Sequence, residues 1–211
     1  MDARSIADVP EHELVHLLLS HNALSRMVLA ATASQTASQV HLRVPFPALL
    51  GSGVQGDVDA LVYPPGTPER SAAYEFKRVK IARHTFDTGS PNKLSAISKA
   101  VQQANALERI GFSQVALVIL VVTDGRERVE FNFAFRGATS DLLRTVDNAI
   151  DLSRLHPDIG VFRMEVVQPV NRPVLESGGI SGKAYRIPTI REQHSELTTR
   201  IRQYASTNSG A

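Results

Sequence analysis

The chain has 211 residues, a formal net charge of +2 and 43% hydrophobic residues, values typical of a soluble globular protein. It contains no cysteine, which excludes disulfides, thiolate catalysis and cysteine-ligated zinc. The first ten residues lack a basic start before an apolar run, and the longest apolar run, residues 115–122, is too short to span a bilayer. We therefore expect a cytoplasmic protein without a membrane segment.

Hydrophobic spacing, proline and glycine predict the elements of the first half of the chain. Apolar residues recur at helical spacing over residues 11–31, and the alternating stretch 41–46 predicts a first strand. Residues 56–63 and 72–81 are predicted to be two strands, because the segment between them, 64–68, contains three prolines and a glycine and is typical of a turn. These two strands form a hairpin.

The second half alternates helices and strands. Residues 84–92 are predicted to form a loop, and a near-continuous β-branched run at 114–122 indicates a strand covered on both faces. The remaining predictions are a helix at 93–110 ended by Gly111, a turn at 123–125, a strand at 128–135, a helix at 141–155, a strand at 161–167, a Pro- and Gly-rich segment at 168–190 and a short helix at 191–204.

This order of elements predicts an α/β fold with a mixed central sheet flanked by helices. We divide the chain into a main domain, residues 1–168, and a C-terminal extension, residues 169–211, with a short helix and a frayed tail.

The predicted hairpin carries three acidic residues and a lysine. A turn centred on Thr67 places Asp59 opposite Glu75 and Asp57 opposite Lys77, all on one face of the sheet. Opposed residues have Cβ atoms about 4.5–5.5 Å apart, so two carboxylates can share one cation, without which they repel each other. Hard oxygen ligands favour Mg²⁺, for which Mn²⁺ can substitute.

Such a site suits phosphodiester hydrolysis. A bound divalent ion lowers the pKa of water and offsets charge on a scissile phosphate. Lys77 points to the same place and could hold the attacking water or neutralise charge that develops in the transition state.

The run Gly56-Asp57-Val58-Asp59-Ala60-Leu61-Val62, followed by Tyr74-Glu75-Phe76-Lys77, resembles the core signature of the PD-(D/E)XK nuclease superfamily. The resemblance covers residues 42–122 and implies a restriction-endonuclease-like αβββαβ core with C-terminal additions. It implies Asp59 and Glu75 as metal ligands, the Phe76 carbonyl as a candidate third ligand and Lys77 as the catalytic lysine.

The signature also leaves choices open. No proline precedes Asp59, and Asp57 is an alternative main ligand; we prefer Asp59 because it faces Glu75 in the predicted register. Some superfamily members place a glutamine in the next helix, which makes Gln103 a candidate catalytic residue and Gln102 an equal alternative.

Basic residues are concentrated between positions 70 and 109, where eight Lys or Arg accompany three acids. A cluster of this kind can lie along a phosphate backbone, although ordinary solvation explains it equally well. The candidates for phosphate contact are Lys80, Arg83, Lys93 and Lys99.

The resemblance therefore implies a Mg²⁺-dependent nuclease, in our interpretation an endodeoxyribonuclease that acts on DNA, with RNA as the alternative substrate. Whether the protein is a homodimer stays open. A second hypothesis keeps the same fold as a non-catalytic module that binds nucleic acid or protein.

A rival motif lies in the first predicted helix, where residues 12–16 fit the H-E-x-x-H pattern of zinc peptidases. His12 and His16 would bind zinc and Glu13 would act as base, with His21 as a candidate third ligand. Peptidases of that kind normally have a sheet before this helix, so we favour a solvent-exposed helix face. Glu11 or Glu13 could instead lean toward the carboxylate pair of the hairpin.

Overall fold

The structure, a computed structural model, describes residues 5–20, 22–32, 38–81, 91, 94–125, 137–168 and 179–208. The strands are β1 (Gln39–Pro45), β2 (Asp57–Tyr63), β3 (Ala72–Ile81), β4 (Gln114–Asp124), β5 (Gly160–Gln168) and β6 (Gly179–Arg186). The helices are α1 (Glu11–Ser20), α2 (Asn22–Ala31), α3 (Phe46–Leu50), α4 (Ser95–Ile110), α5 (Ser140–Asn148) and α6 (Ser195–Asn208). Short 3-10 turns lie at Ile6–Asp8, Pro68–Arg70 and Leu152–Arg154.

The six strands form one mixed sheet in which neighbours follow the chain order. β1, β2 and β3 pair antiparallel, β3, β4 and β5 pair parallel, and β6 pairs antiparallel with β5. Parallel neighbours need a crossover connection, and the chain between β3 and β4 contains α4 while the chain between β4 and β5 contains α5. The architecture is therefore α/β with helices flanking a mixed open sheet.

Two hydrophobic cores lie on opposite faces of the sheet. One core joins α1 and α2 to the sheet through side chains such as Leu14, Val28 and Phe76. The other joins α3, α4, α5 and α6 through side chains such as Ile97 and Ile201. β4 supplies alternate residues to both cores and is buried from Val115 onward, which explains why its sequence is apolar without alternation.

The structure confirms the hairpin strands, the helix that ends before Gly111 and the strands predicted at 114–122 and 161–167. The prediction of a single first helix over 11–31 is wrong, because α1 and α2 are separate helices that contact each other. The predicted strand at 128–135 lies outside the described residues.

Two further predictions are corrected, and two elements are absent from the predictions. Thr123 and Asp124 continue β4 rather than forming a turn, because they remain paired with β5. The helix predicted over 141–155 ends at Asn148 and is followed by the turn Leu152–Arg154. The Pro- and Gly-rich segment contains β6, and α3 was not predicted.

The C-terminal segment shares the sheet and core of the rest of the chain. β6 pairs with β5, so the predicted boundary at residue 168 falls between two neighbouring strands. Leu197 and Ile201 of α6 are buried in the same core as α4 and α5. Across the described ranges, every helix is too short or too polar to cross a membrane.

Gly111→Ala is expected to lower the free energy of unfolding by about 2–4 kcal/mol, since a left-handed non-glycine residue alone costs about 1–2 kcal/mol. Gly111 ends α4 with φ 93°, and a Cβ there would lie 2.2 Å from Nδ1 of His194. Gly66→Ala is the matched control, because Gly66 has φ 76° and open space around it. Urea unfolding of both variants separates the backbone strain, which both share, from the clash with His194, which only Gly111→Ala has. Equal losses of unfolding free energy would show that the His194 side chain moves aside without cost.

Candidate active site

β2 and β3 are paired over only part of their length. Their partners are Ala60 with Tyr74, Leu61 with Ala73 and Val62 with Ala72. β2 nevertheless stays paired with β1 as far as Asp57, and β3 stays paired with β4 as far as Ile81. The two strands therefore separate beyond Ala60 and Tyr74. We call the space between them the strand fork.

The pairing has the register predicted from the turn. Continued by one residue beyond the last pair, this register sets Asp59 opposite Glu75 across the fork. On β3, Phe76 packs into the core of α1 and α2, so by alternation Glu75 and Lys77 point toward the opposite face of the sheet. Asp59, Glu75 and Lys77 are thus brought together at the mouth of the fork.

Two carboxylates lie in the fork and accept hydrogen bonds from β3 N–H groups that have no partner on β2 there. Oδ2 of Asp59 accepts a hydrogen bond from the Phe76 N–H at 2.7 Å, and Oε2 of Glu11 accepts one from the Arg78 N–H at 2.5 Å. Lys77 Nζ donates to Oε1 of Glu11 at 2.7 Å. Backbone donors that lose their ladder partner need another acceptor, and these side chains supply it.

Glu11 is held in place by the segment that precedes α1. The Ile6 N–H donates to Oε1 of Gln168 at the end of β5, at 2.7 Å. The Arg78 guanidinium donates to the carbonyl of Ala7 at 3.2 Å. This segment therefore lies across the carboxyl ends of β3 and β5 and places the Glu11 carboxylate in the fork.

Burial sets the protonation of the carboxylate pair. Glu75 is 3% exposed, and its burial, together with repulsion by Asp59, raises its pKa to about 8 although Lys77 opposes the shift. Burial also raises the pKa of Asp59 to about 6, against the hydrogen bond from Phe76 and with repulsion from Glu11. Burial and mutual repulsion therefore favour retention of a proton by the metal-free pair.

Asp57 occupies a different environment from Asp59. Its Oδ2 lies 3.3 Å from Nε of Arg43, and both side chains are substantially exposed. Its charge still raises the pKa of Asp59 and of Glu75, so it lies near the pair without entering the fork. Of the two aspartates, the one in the fork is Asp59.

Phe76 and the predicted glutamines differ in their placement. The Phe76 side chain is buried. The backbone N–H and C=O of one strand residue point toward the same neighbouring strand. Because the Phe76 N–H points into the fork, its carbonyl does too. Gln103 is half-buried on α4 and Gln102 is exposed. In the part of the chain that the structure describes, no hydrogen bond joins either glutamine to Asp59, Glu75 or Lys77, and their role stays a prediction.

Two of the four predicted phosphate contacts, Lys80 and Lys99, lie within the described residues. Lys80 forms an ion pair with Asp8, and Lys99 is exposed on α4. Arg83 and Lys93 lie outside the described residues. The two that the structure describes therefore lie on different elements, and the contact of all four with phosphate stays a prediction.

The H-E-x-x-H residues are exposed on α1, where His16 lies 3.4 Å from the hydroxyl of Ser20. Among the residues that the structure describes, no three His, Asp or Glu side chains form a metal-binding group. His21 lies outside those residues. A cation at Asp59 and Glu75 would accordingly take its other ligands from the main chain, water and substrate.

Glu11 and Glu13 are equal alternatives in the sequence as additional acids, and the structure places Glu11 in the fork. Glu13 is exposed on the wall of a neighbouring cleft. No protein-family model matches the chain, and no curated protein matches it.

Proposed function

We propose that this protein is a metal-dependent nuclease with a restriction-endonuclease-like core of the PD-(D/E)XK type, and specifically an endodeoxyribonuclease. The observation that carries the proposal is the desolvated pair Asp59 and Glu75 beside Lys77 in the strand fork. A sequence selected for stability alone would seldom bury two repelling carboxylates, so the arrangement indicates that a cation completes it.

The residues in the fork fit Mg²⁺ or Mn²⁺. In the described ranges no hydrogen bond reaches the Glu75 carboxylate, and Asp59 has only one oxygen engaged with Phe76, which leaves acceptor oxygens for a hard cation. Asp59, Glu75 and the Phe76 carbonyl would hold the ion. When bound, it would lower the pKa of a water molecule and offset negative charge on the phosphate.

The other residues of the fork position groups around the reacting phosphate. Lys77 supplies a compact positive charge that can hold the attacking water or neutralise charge that develops on the phosphate oxygens. Glu11 holds the ammonium of Lys77 and the Arg78 N–H, and so acts as a positioning residue. The Phe76 N–H orients Asp59 in the same way.

The decisive experiment incubates supercoiled plasmid with the wild type in Mg²⁺, Mn²⁺ or EDTA. Cutting is expected with either ion and not in EDTA. Glu75→Ala and Lys77→Ala should each reduce the rate by at least about 100-fold, the loss typical of removing a preorganised electrostatic group. Glu69→Ala, which removes an exposed acid just before β3, and Arg202→Ala, which removes an exposed arginine on α6, are the matched controls and should cut normally.

Equal cutting by the wild type and by both site variants would remove the site assignment. If the wild type cuts neither DNA nor RNA, the same fold is better explained as a binding module. Stoichiometric zinc that is lost in His12→Ala would instead support the peptidase interpretation of α1.

A further inference from the structure

A cleft of ≈ 640 Å³ lies between α1 and the adjoining parts of β1 and β2. Its lining includes Glu11 and Asp59, so the cleft is continuous with the strand fork. Its volume lies within the range of about 300–1,000 Å³ that is usual for sites of small ligands. A substrate bound at the fork therefore has room for one compact group in this cleft, beside the carboxylates of Glu11 and Asp59.

The backbone of the cleft wall is strained at Arg43. Among the described residues, Arg43 is the one non-glycine residue with positive φ, 51°, although it lies inside β1 between two residues that pair normally with β2. A left-handed conformation is unfavourable for such a residue, and strain of this kind is concentrated at ligand sites. The Arg43 side chain is 65% exposed, so its guanidinium remains accessible in the cleft.

Charge restricts what the cleft can hold. Four acids, Glu11, Glu13, Asp57 and Asp59, face a single arginine in its lining. Glu11 is ion-paired with Lys77, Asp57 is ion-paired with Arg43, and Asp59 would bind the cation, so the excess of negative charge is smaller than four acids alone would give. The excess that remains disfavours a second phosphate away from the cation site, and the cleft therefore favours an uncharged or cationic group.

The remaining lining residues suit a flat, partly apolar group. Leu17 and Leu42 supply apolar surface, and the rings of His12 and His16 and the guanidinium of Arg43 supply planar surfaces. Unpaired nucleobases bind proteins by stacking on histidine rings and guanidinium planes. The carboxylates of Glu13 and Asp57 can accept hydrogen bonds from exocyclic amines of a base.

We infer that the cleft receives the base of an unpaired nucleotide next to the phosphate that is cut. The substrate class is then single-stranded nucleic acid, or a duplex with an unpaired nucleotide at the cleavage position, because a base within a duplex must leave the stack to enter a concave site. This inference rests on the proposed function, since it places the scissile phosphate at Asp59 and Glu75.

The test compares one sequence presented as a single strand, as a perfect duplex and as a duplex with one extrahelical 2-aminopurine. Cleavage is measured in Mg²⁺, with DNA and RNA versions of the single strand, and binding is measured in Ca²⁺ by 2-aminopurine fluorescence. The single strand and the bulged duplex should be cut at least about tenfold faster than the perfect duplex, with cutting beside the bulge, since a base in the perfect duplex must first be unpaired and unstacked.

Two variants test the cleft itself without altering Asp59, Glu75 or Lys77. Arg43→Ala and His16→Ala should each weaken binding of the single strand at least about fivefold, as expected for loss of a stacking partner. Arg202→Ala is the matched control, because it removes an exposed arginine on α6, which packs on the opposite face of the sheet. It should bind as the wild type does.

The outcomes separate this inference from the proposed function. Equal cutting of perfect duplex and single strand, with both cleft variants unaffected, would overturn the cleft assignment and leave the nuclease intact. Single-strand binding that requires Arg43 and His16 but never leads to cutting would support the cleft assignment and overturn the nuclease. Failure to bind any of the oligonucleotides would overturn both.

Discussion

Glu75→Gln is expected to stabilise the metal-free protein at alkaline pH while abolishing cleavage. Glu75 is buried beside Asp59, and its ionisation must place a second negative charge in a desolvated site. Glutamine has nearly the same shape and carries no charge, so it removes this cost but cannot bind a cation as a carboxylate does. Greater stability with lost activity is the behaviour expected of a group retained for function.

The pH dependence follows from the direction of the pKa shifts. Burial raises the pKa of Glu75 to about 8 and that of Asp59 to about 6, so the folded protein binds protons that the unfolded chain has already released. The stability from these protons is present below the unfolded pKa of about 4 and is lost as pH rises through each folded pKa. In EDTA, the free energy of unfolding of the wild type should fall between about pH 4 and pH 8 on this account.

Urea unfolding in EDTA at pH 5 and pH 9 measures the effect. At pH 9, Glu75→Gln should exceed the wild type by about 1–3 kcal/mol, one pKa unit corresponding to about 1.4 kcal/mol, and at pH 5 the two should be nearly equal. Glu69→Gln, at an exposed acid in the turn Pro68–Arg70, is the control and should follow the wild type. Parallel curves for the wild type and Glu75→Gln would contradict the desolvation of Glu75.

Added Mg²⁺ or Mn²⁺ should reverse the order of stability. A ligand that binds only the folded state stabilises it, and the wild type retains the carboxylate that Glu75→Gln lacks. Ion binding should also release protons, because the pair must ionise fully. A stabilisation by the ions that is equal in both proteins would place the cation site elsewhere.

The parts of the fold predicted from sequence are those in which local chemistry and burial agree. The prolines and Gly66 between β2 and β3 define the turn, and β4 is apolar throughout because both its faces are covered. β6 contains glycines and exposed residues without alternation, so its order comes from pairing with β5. Pairing of this kind is a tertiary effect that local sequence does not encode.

The candidate site likewise has a part that the local sequence predicts and a part that depends on tertiary packing. The facing of Asp59 and Glu75 follows from the turn and from the period of a strand, both of which are local. The separation of β2 from β3 is not encoded locally. It occurs where Asp59 and Glu11 accept the β3 N–H groups in place of a strand partner, and Glu11 is distant in sequence from β3. Glu11 and Glu13 differ only in their direction from α1, and the packing of the segment before the helix decides which one reaches β3.

Glu11→Ala should destabilise the protein more than Lys77→Ala, although both remove the same ion pair. Glu11 also accepts the Arg78 N–H at 2.5 Å, and a largely buried donor left without an acceptor costs about 1–3 kcal/mol. Lys77→Ala removes a partly exposed ion pair, whose contribution is about 0–1 kcal/mol. Glu11→Gln keeps an oxygen for the Arg78 N–H and should resemble Lys77→Ala in stability.

Activity should follow the opposite order, which separates the two roles. Lys77→Ala should reduce plasmid cutting by at least about 100-fold with little loss of stability, since under the proposed function its ammonium acts on the reacting phosphate. Glu11→Gln should remain within about tenfold of the wild type, because it leaves the ammonium present and changes only how it is positioned. A double-mutant cycle in urea unfolding isolates the ion pair from the backbone hydrogen bond. Equal destabilisation by Glu11→Ala and Lys77→Ala would mean that the Arg78 N–H finds another acceptor, and that Glu11 does not hold the fork together.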